Sequence, residues 1–166
     1  MAEKKWLVFY TKSRAEKKTQ ELLEKFGFEA YLPTHKVMRQ WSDRKKKVEV
    51  PLFNSYIFVF ELEAHIPEVL KVPGVSWNIR HAGRPAELRE RELNTIKRFI
   101  ESGLTIEIES SQDLEKGDQV KIMDGPLKGS IGFLSGEFND QKFTIEVESI
   151  DQIIRVNVDK GLLKKL

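Results

Sequence analysis

The stretch that most limits what this chain can fold into is VPLFNSYIFVF, residues 50–60. In an extended chain Tyr56, Phe58 and Phe60 point one way, and Ile57 and Val59 point the other. A strand with one face in water alternates apolar with polar residues, and this one is apolar on both faces. KKWLVFYT, residues 4–11, has the same character. A sheet built on these strands needs helices over one face. Its other face needs either more of the chain or a partner, and any part of Tyr56, Phe58 and Phe60 left open is a candidate docking patch.

The helices are present in the sequence. In SRAEKKTQELLEKFGF, from Ser13, the spacing of Ser13 and Glu16 predicts a capping box. Ala15, Thr19, Leu22, Leu23 and Phe26 fall on one stripe, and Gly27 stands where a helix-ending glycine belongs. HIPEVLKVPGV predicts a short helix stopped before Pro73-Gly74, and VSWNIR a short strand. PAELRERELNTIKRFIES predicts a long helix with Leu93, Ile96, Phe99 and Ile100 inward and Gly103 closing it. EAYLPTHKVMRQW and KKKVEVPLF flank the polar tip Ser42-Asp43-Arg44, the pattern of a hairpin with a basic end.

After Gly103 the pattern changes. GLTIEIESSQDLEKGD is acidic without a helical stripe and is read as a linker over 103–115. QVKIM, SIGFLS, KFTIEVE and IIRVNV are short β-rich pieces separated by DGPLKG and GEFND, the pattern of a small barrel over 116–166. The expected fold is therefore α+β. An α/β sandwich over 1–102, with an antiparallel-rich sheet flanked by helices, precedes an all-β barrel.

The formal charge of +2 hides a division. Residues 1–102 carry 20 Lys and Arg against 14 Asp and Glu, and residues 103–166 carry 8 against 12. The basic part is the candidate for polyanion contact, the acidic part for a different partner. There is no cysteine, so disulfides, thiolate metal sites and cysteine nucleophiles are excluded. The longest apolar runs, WLVFY and YIFVF, are five residues each, far short of the ~20 that span a bilayer. MAEKK leads into a strand without a secretory h-region, so a soluble cytoplasmic protein without membrane contact is expected.

Nothing in the sequence supports catalysis. His35, His65 and His81 are scattered, with no second metal ligand at helical spacing. GPLKGS fails the phosphate-loop pattern and reads better as a tight turn between strands. No cofactor or metal is expected. The cations are more informative. Lys12, Arg14, Lys17 and Lys18 gather at the start of the first helix, where the helix dipole mildly disfavours them. Arg44, Lys45, Lys46 and Lys47 sit at the hairpin tip. Either cluster alone reads equally well as a solvated surface. Together, in the basic part, they favour a nucleic-acid backbone, with Trp41 and Tyr10 as weaker stacking candidates.

Taken in order, the motifs resemble the NusG family of transcription elongation factors. WLVFYTKSRAEKKTQELL resembles the family's opening strand and helix, and PLFNSYIFV its P-L-F-P-G-Y-[VL]-F-V signature. VPGV and GRPAELRERELNTI resemble the segment closing its N-terminal NGN domain. GDQVKIMDGPLKGSIGFL resembles the KOW motif, with Gly125, Pro126, Gly129 and Gly132 in place. The resemblance implies an NGN domain joined to an SH3-like KOW barrel, monomeric and without enzymatic activity. It implies that Tyr10, Phe53, Tyr56 and Phe58 line a pocket for the β′ clamp helices of RNA polymerase. It places Lys12, Arg14, Lys17 and Lys18 towards the non-template DNA strand of the transcription bubble. Pro126, Leu127 and Lys128 would form the barrel's contact loop, for a small-subunit ribosomal protein or the termination factor Rho.

Two departures point to a specialised RfaH/UpxY-like paralogue. The signature turn is Phe53-Asn54-Ser55-Tyr56, without proline or glycine, and Leu127 stands where housekeeping members commonly have Phe. Some specialised relatives hold the KOW domain as a helical hairpin. The β-branched FTIEVE and IIRVNV predict the barrel here. The rival reading is a KOW-type RNA-binding protein of the ribosome or RNA-processing machinery, for which the acidic barrel has the wrong charge.

Overall fold

The computed structural model describes residues 2–112, 114–136 and 140–166. Its contacts divide the chain into two compact units, Met1–Glu90 and Arg91–Leu166. No helix among the described residues is long and apolar enough to cross a membrane.

The first unit is built on β1 (Lys5–Thr11), α1 (Glu16–Lys25), β2 (Glu29–Tyr31), β3 (Thr34–Gln40), β4 (Lys45–Pro51), β5 (Tyr56–Glu61), α2 (Ile66–Leu70) and β6 (Val75–Asn78). The short strands β7 (Arg80–His81), β8 (Arg84–Pro85) and β9 (Glu87–Leu88) complete it. The main sheet runs β2-β5-β1-β6, with β9 sharing the outer edge of β1 with β6. Every pairing is antiparallel. The two doubly apolar segments are thus the inner strands, in the register Trp6↔Phe60, Val8↔Phe58 and Tyr10↔Tyr56. The intervening Leu7, Phe9, Ile57 and Val59 point to the opposite face. There they join Leu23 of α1, Ile66 and Val69 of α2, and Val72 and Val75 in one buried cluster. That is the helix-covered face.

Local chemistry fixes the helix ends. Phe28 N–H donates to Leu23 C=O and Gly27 N–H to Glu24 C=O, a Schellman closure with Gly27 at φ 91°. The start of α1 differs from the capping box expected. Ala15 occupies the N-cap without a side-chain bond, and the Glu16 carboxylate instead accepts the Ser55 N–H at 3.1 Å. Arg14 just before Ala15 has φ 61°, so the chain enters α1 through a left-handed residue. Phe26, expected inward, is 62% exposed, because the helix ends at Lys25 and the Gly27 turn carries the chain off the stripe. Gly74 is required for close approach, since a Cβ there would meet the Thr19 hydroxyl at 2.1 Å.

The second unit comprises α3 (Glu90–Glu101, all but its first residue), β10 (Ile106–Ser110), β11 (Gln119–Ile122), β12 (Ile131–Ser135), β13 (Lys142–Val147), β14 (Gln152–Val156) and β15 (Leu163–Lys165). Its strands form one antiparallel sheet, β10-β14-β13-β12-β11-β15, and no α-helix follows α3 among the described residues. The strand reading of FTIEVE and IIRVNV holds. The two units together give the α+β class expected.

The helix assigned by its sequence to the first domain groups with the second unit, where Phe99 stacks on Phe143 with ring centroids 6.3 Å apart. Much of the expected linker is strand. TIEIES alternates, Ile106 is buried, and β10 pairs with β14 from Ile106↔Val156 to Ser110↔Gln152. Of the turn read in GEFND, residues 137–139 lie outside the described residues.

Candidate functional site

The face of the first sheet opposite α1 and α2 is aromatic. Trp6 packs on Phe60 at 5.2 Å and on Tyr31 at 6.2 Å, and Tyr31 stacks on Phe58 at 6.4 Å. At the other end Tyr10 lies 4.9 Å from Tyr56 and 4.8 Å from Trp77, edge to face with the latter. The middle of this face is closed, with Val8 and Phe58 fully buried. The end is open, with Tyr10 and Tyr56 half-buried and Trp77 58% exposed. Aromatic groups at such separations gain about 0.5–1.5 kcal/mol per pair beyond their burial, so the cluster is held in shape before anything binds it.

Hydrogen bonds fix the open end further. The Tyr10 and Tyr56 hydroxyls are 3.2 Å apart. Ser55, immediately before Tyr56, has φ 67°, a left-handed conformation that costs a residue with a Cβ roughly 1 kcal/mol. It is clamped from both sides. Its N–H is held by the buried Glu16 carboxylate, and its C=O accepts the Thr11 N–H at 2.9 Å. The FNSY turn therefore forms without glycine because α1 supplies an anion to its strained amide.

Of the four aromatic positions expected to line a pocket, the structure brings Tyr10 and Tyr56 together at an accessible edge. Phe53 is 2% exposed and Phe58 0%, so these two are buried and offer no open surface. Trp77 is the position the sequence reading missed. Alternation would put it on the face of buried Val75, two residues before it in β6; the register shift between Tyr10 and Thr11 instead brings it opposite Tyr10.

The cations occupy two neighbouring places. Lys12, Arg14, Lys17 and Lys18 are exposed around the start of α1. Lys17 Nζ donates to the Glu49 C=O of β4 at 2.6 Å, which ties the helix to the hairpin base. The β3–β4 hairpin forms a two-stranded sheet of its own, paired from Thr34↔Pro51 to Gln40↔Lys45. Arg44, Lys45, Lys46 and Lys47 are exposed at its far end. There Trp41 N–H donates to the Arg44 C=O at 2.8 Å, and Lys46 Nζ lies 5.7 Å from the Trp41 ring centroid.

In the second unit, the expected contact loop is only partly available. Pro126 and Lys128 are exposed, but Leu127 is 1% exposed and packs into the core. Lys128 C=O accepts from the Arg98 guanidinium at 2.8 Å. Gly132 is required in β12, because a Cβ would meet the Thr144 C=O at 2.4 Å. Among the described residues no group of three or more His, Cys, Asp and Glu side chains is placed to hold a metal.

Fold and surface together define a two-part α+β chain with an aromatic sheet edge and a cationic hairpin. The model of the family described as transcription termination factor NusG matches residues 4–97. That is more than half of the chain, and the chain belongs to the NusG family. It is similar to the transcription termination/antitermination protein NusG of Haemophilus influenzae, with 22% identity over 158 residues, 90% of this chain and 82% of that protein. Its fold is similar to the solved structure described as domain interaction in Thermotoga maritima NusG. The TM-score is 0.56 at 23% identity, covering 99% of this chain and 98% of that one.

Proposed function

We propose that this NusG-family protein is a transcription elongation and antitermination factor that docks RNA polymerase through the open aromatic end of its first sheet. It acts without enzymatic chemistry, as a member of a family of transcription factors. The observation that carries the reading is Trp77, left 58% exposed against Tyr10 and Tyr56 on a pre-shaped edge. An apolar edge of this kind accepts the tip of a helical hairpin, and the occupant is the pair of β′ clamp helices. The cations around α1 and on the hairpin face the non-template strand of the bubble, holding it by its phosphates.

The acidic second unit has a protein partner, a small-subunit ribosomal protein or Rho, reached through Pro126 and Lys128. The turn without proline or glycine and the inward Leu127 favour a specialised, RfaH/UpxY-like paralogue over a housekeeping member. The protein works in the cytoplasm as a monomer and needs no cofactor. The test is single-round transcription with bacterial RNA polymerase, comparing wild type with Tyr56→Ala. The expected result is a change in pause lifetimes with the wild type that the folded variant fails to produce. Equal effects of the two proteins would remove the aromatic edge from the mechanism.

A further inference from the structure

The β3–β4 hairpin is more than a carrier of charge. Over residues 34–51 it holds six cations, Lys36, Arg39 and Arg44 to Lys47, against Asp43 and Glu49. Among the described residues none of the six has a carboxylate partner. Arg39 and Lys46 stand directly opposite each other across the strands, an arrangement of like charges that weakens a sheet pair. Among the described residues the hairpin pairs with no other strand, and seven-residue strands reach about 23 Å. Its conformation thus tolerates repulsion that an outside anion would relieve.

The tip adds an aromatic to this field. Trp41 is 49% exposed, and Lys46 Nζ lies 5.7 Å from its ring centroid. By strand alternation Arg39, Trp41 and Lys46 lie towards one face, so a flat ring stands between cations. The indole stands half in water. It has the geometry for stacking on a base while neighbouring ammonium and guanidinium groups take the phosphates on either side. In a duplex the bases are already stacked on each other and offer the ring no face.

We infer that the hairpin tip binds single-stranded nucleic acid, one unpaired base stacking on Trp41 and the flanking phosphates held by Arg39 and the cations at 44–47. This rests on the nucleic-acid reading of the hairpin above and deepens it: an unpaired strand is selected over a duplex, and selected by an aromatic. No base sequence is read, because stacking serves every base.

The test is fluorescence anisotropy of a labelled oligothymidylate of about 12 nucleotides with the full chain, wild type, Trp41→Ala, Trp41→Phe and the triple variant Lys45→Gln/Lys46→Gln/Lys47→Gln. The wild type binds the single strand more tightly than a duplex of equal length. Trp41→Ala weakens single-strand binding by about tenfold, and Trp41→Phe restores most of it. The triple variant lowers the slope of log affinity against log salt by about 2. Unchanged binding by Trp41→Ala, or equal affinity for duplex and single strand, overturns the stacking inference and leaves the phosphate reading of the lysines standing. No binding of either nucleic acid by the wild type removes both. Preference for an acidic polypeptide over the oligonucleotide also overturns the inference and reassigns the hairpin to a protein.

Discussion

The aromatic edge and the cationic hairpin belong to the same unit and are built in opposite ways. Tyr10, Tyr56 and Trp77 stand on inner and neighbouring strands of a sheet whose other face is a sealed core. The turn leading into Tyr56 is held by hydrogen bonds to Glu16 and Thr11. The hairpin is a two-stranded sheet of its own and carries its charges in water. The difference follows from what each kind of contact needs. Apolar docking depends on shape, so its groups must be ordered beforehand or binding is weakened by their loss of freedom. Charge acts over about 8–10 Å at ordinary salt and needs reach more than shape.

That contrast breaks most visibly in the core beneath the edge. Phe58→Ala empties a fully buried site and should cost about 3–5 kcal/mol in urea unfolding. The triple lysine variant of the hairpin should stay within about 0.5 kcal/mol of wild type in the same measurement. If the two destabilised the protein equally, the hairpin would be part of the core architecture and the contrast would be wrong.

A smaller effect sharpens the account of the turn. Glu16→Gln weakens a charge-assisted bond to the Ser55 amide and should cost about 1–3 kcal/mol. Ser55→Gly removes the left-handed strain and should raise stability by up to about 1 kcal/mol. Combined, the two should be non-additive, because they act on one peptide group. Additive unfolding energies would mean that Glu16 does not act through Ser55.

The smallest effects are in pH, and they separate the main sheet from the hairpin. Burial alone would raise the Glu61 carboxyl. The Leu62 N–H and the His65 ring at 2.8 Å, with Lys4 nearby, hold it instead below its ordinary 4.5. A depressed carboxyl gives stability above the unfolded value that is lost as pH falls below 4.5, and Glu61→Gln should flatten that loss. At the hairpin base, desolvation lowers His35 from its ordinary 6.5. The unfolded chain then takes up the proton first, so stability declines as pH drops below 6.5, and His35→Gln should remove that earlier part. Thermal melts between pH 7 and 3.5 distinguish the two windows.

Periodicity made much of this legible in the sequence. The doubly apolar strands, the stripes of α1 and α3, the Gly27 closure and the switch to β structure after Gly103 follow from spacing alone. What stayed hidden depends on neighbours distant in sequence. Glu16 has the residue type and position of a capping box, and only the arrival of Ser55 redirects it. Phe53 and Phe58 cannot be separated from Tyr10 and Tyr56 by alternation, because burial here varies along the strand as well as across it. Trp77 sits in a four-residue strand, too short for a pattern. The alternation of TIEIES was outweighed by its acidity, and Leu127 looks like any other loop residue until it is seen inside the fold.

The most direct measurement is binding of the full chain to the isolated β′ clamp helices, for wild type, Trp77→Ala and the triple lysine variant. Trp77 is exposed, so its loss should leave circular dichroism unchanged and weaken binding by about 30-fold, while the lysine variant binds as wild type does. Unchanged affinity for Trp77→Ala, or a loss caused by the lysine variant instead, would contradict the assignment of the aromatic edge as the docking surface.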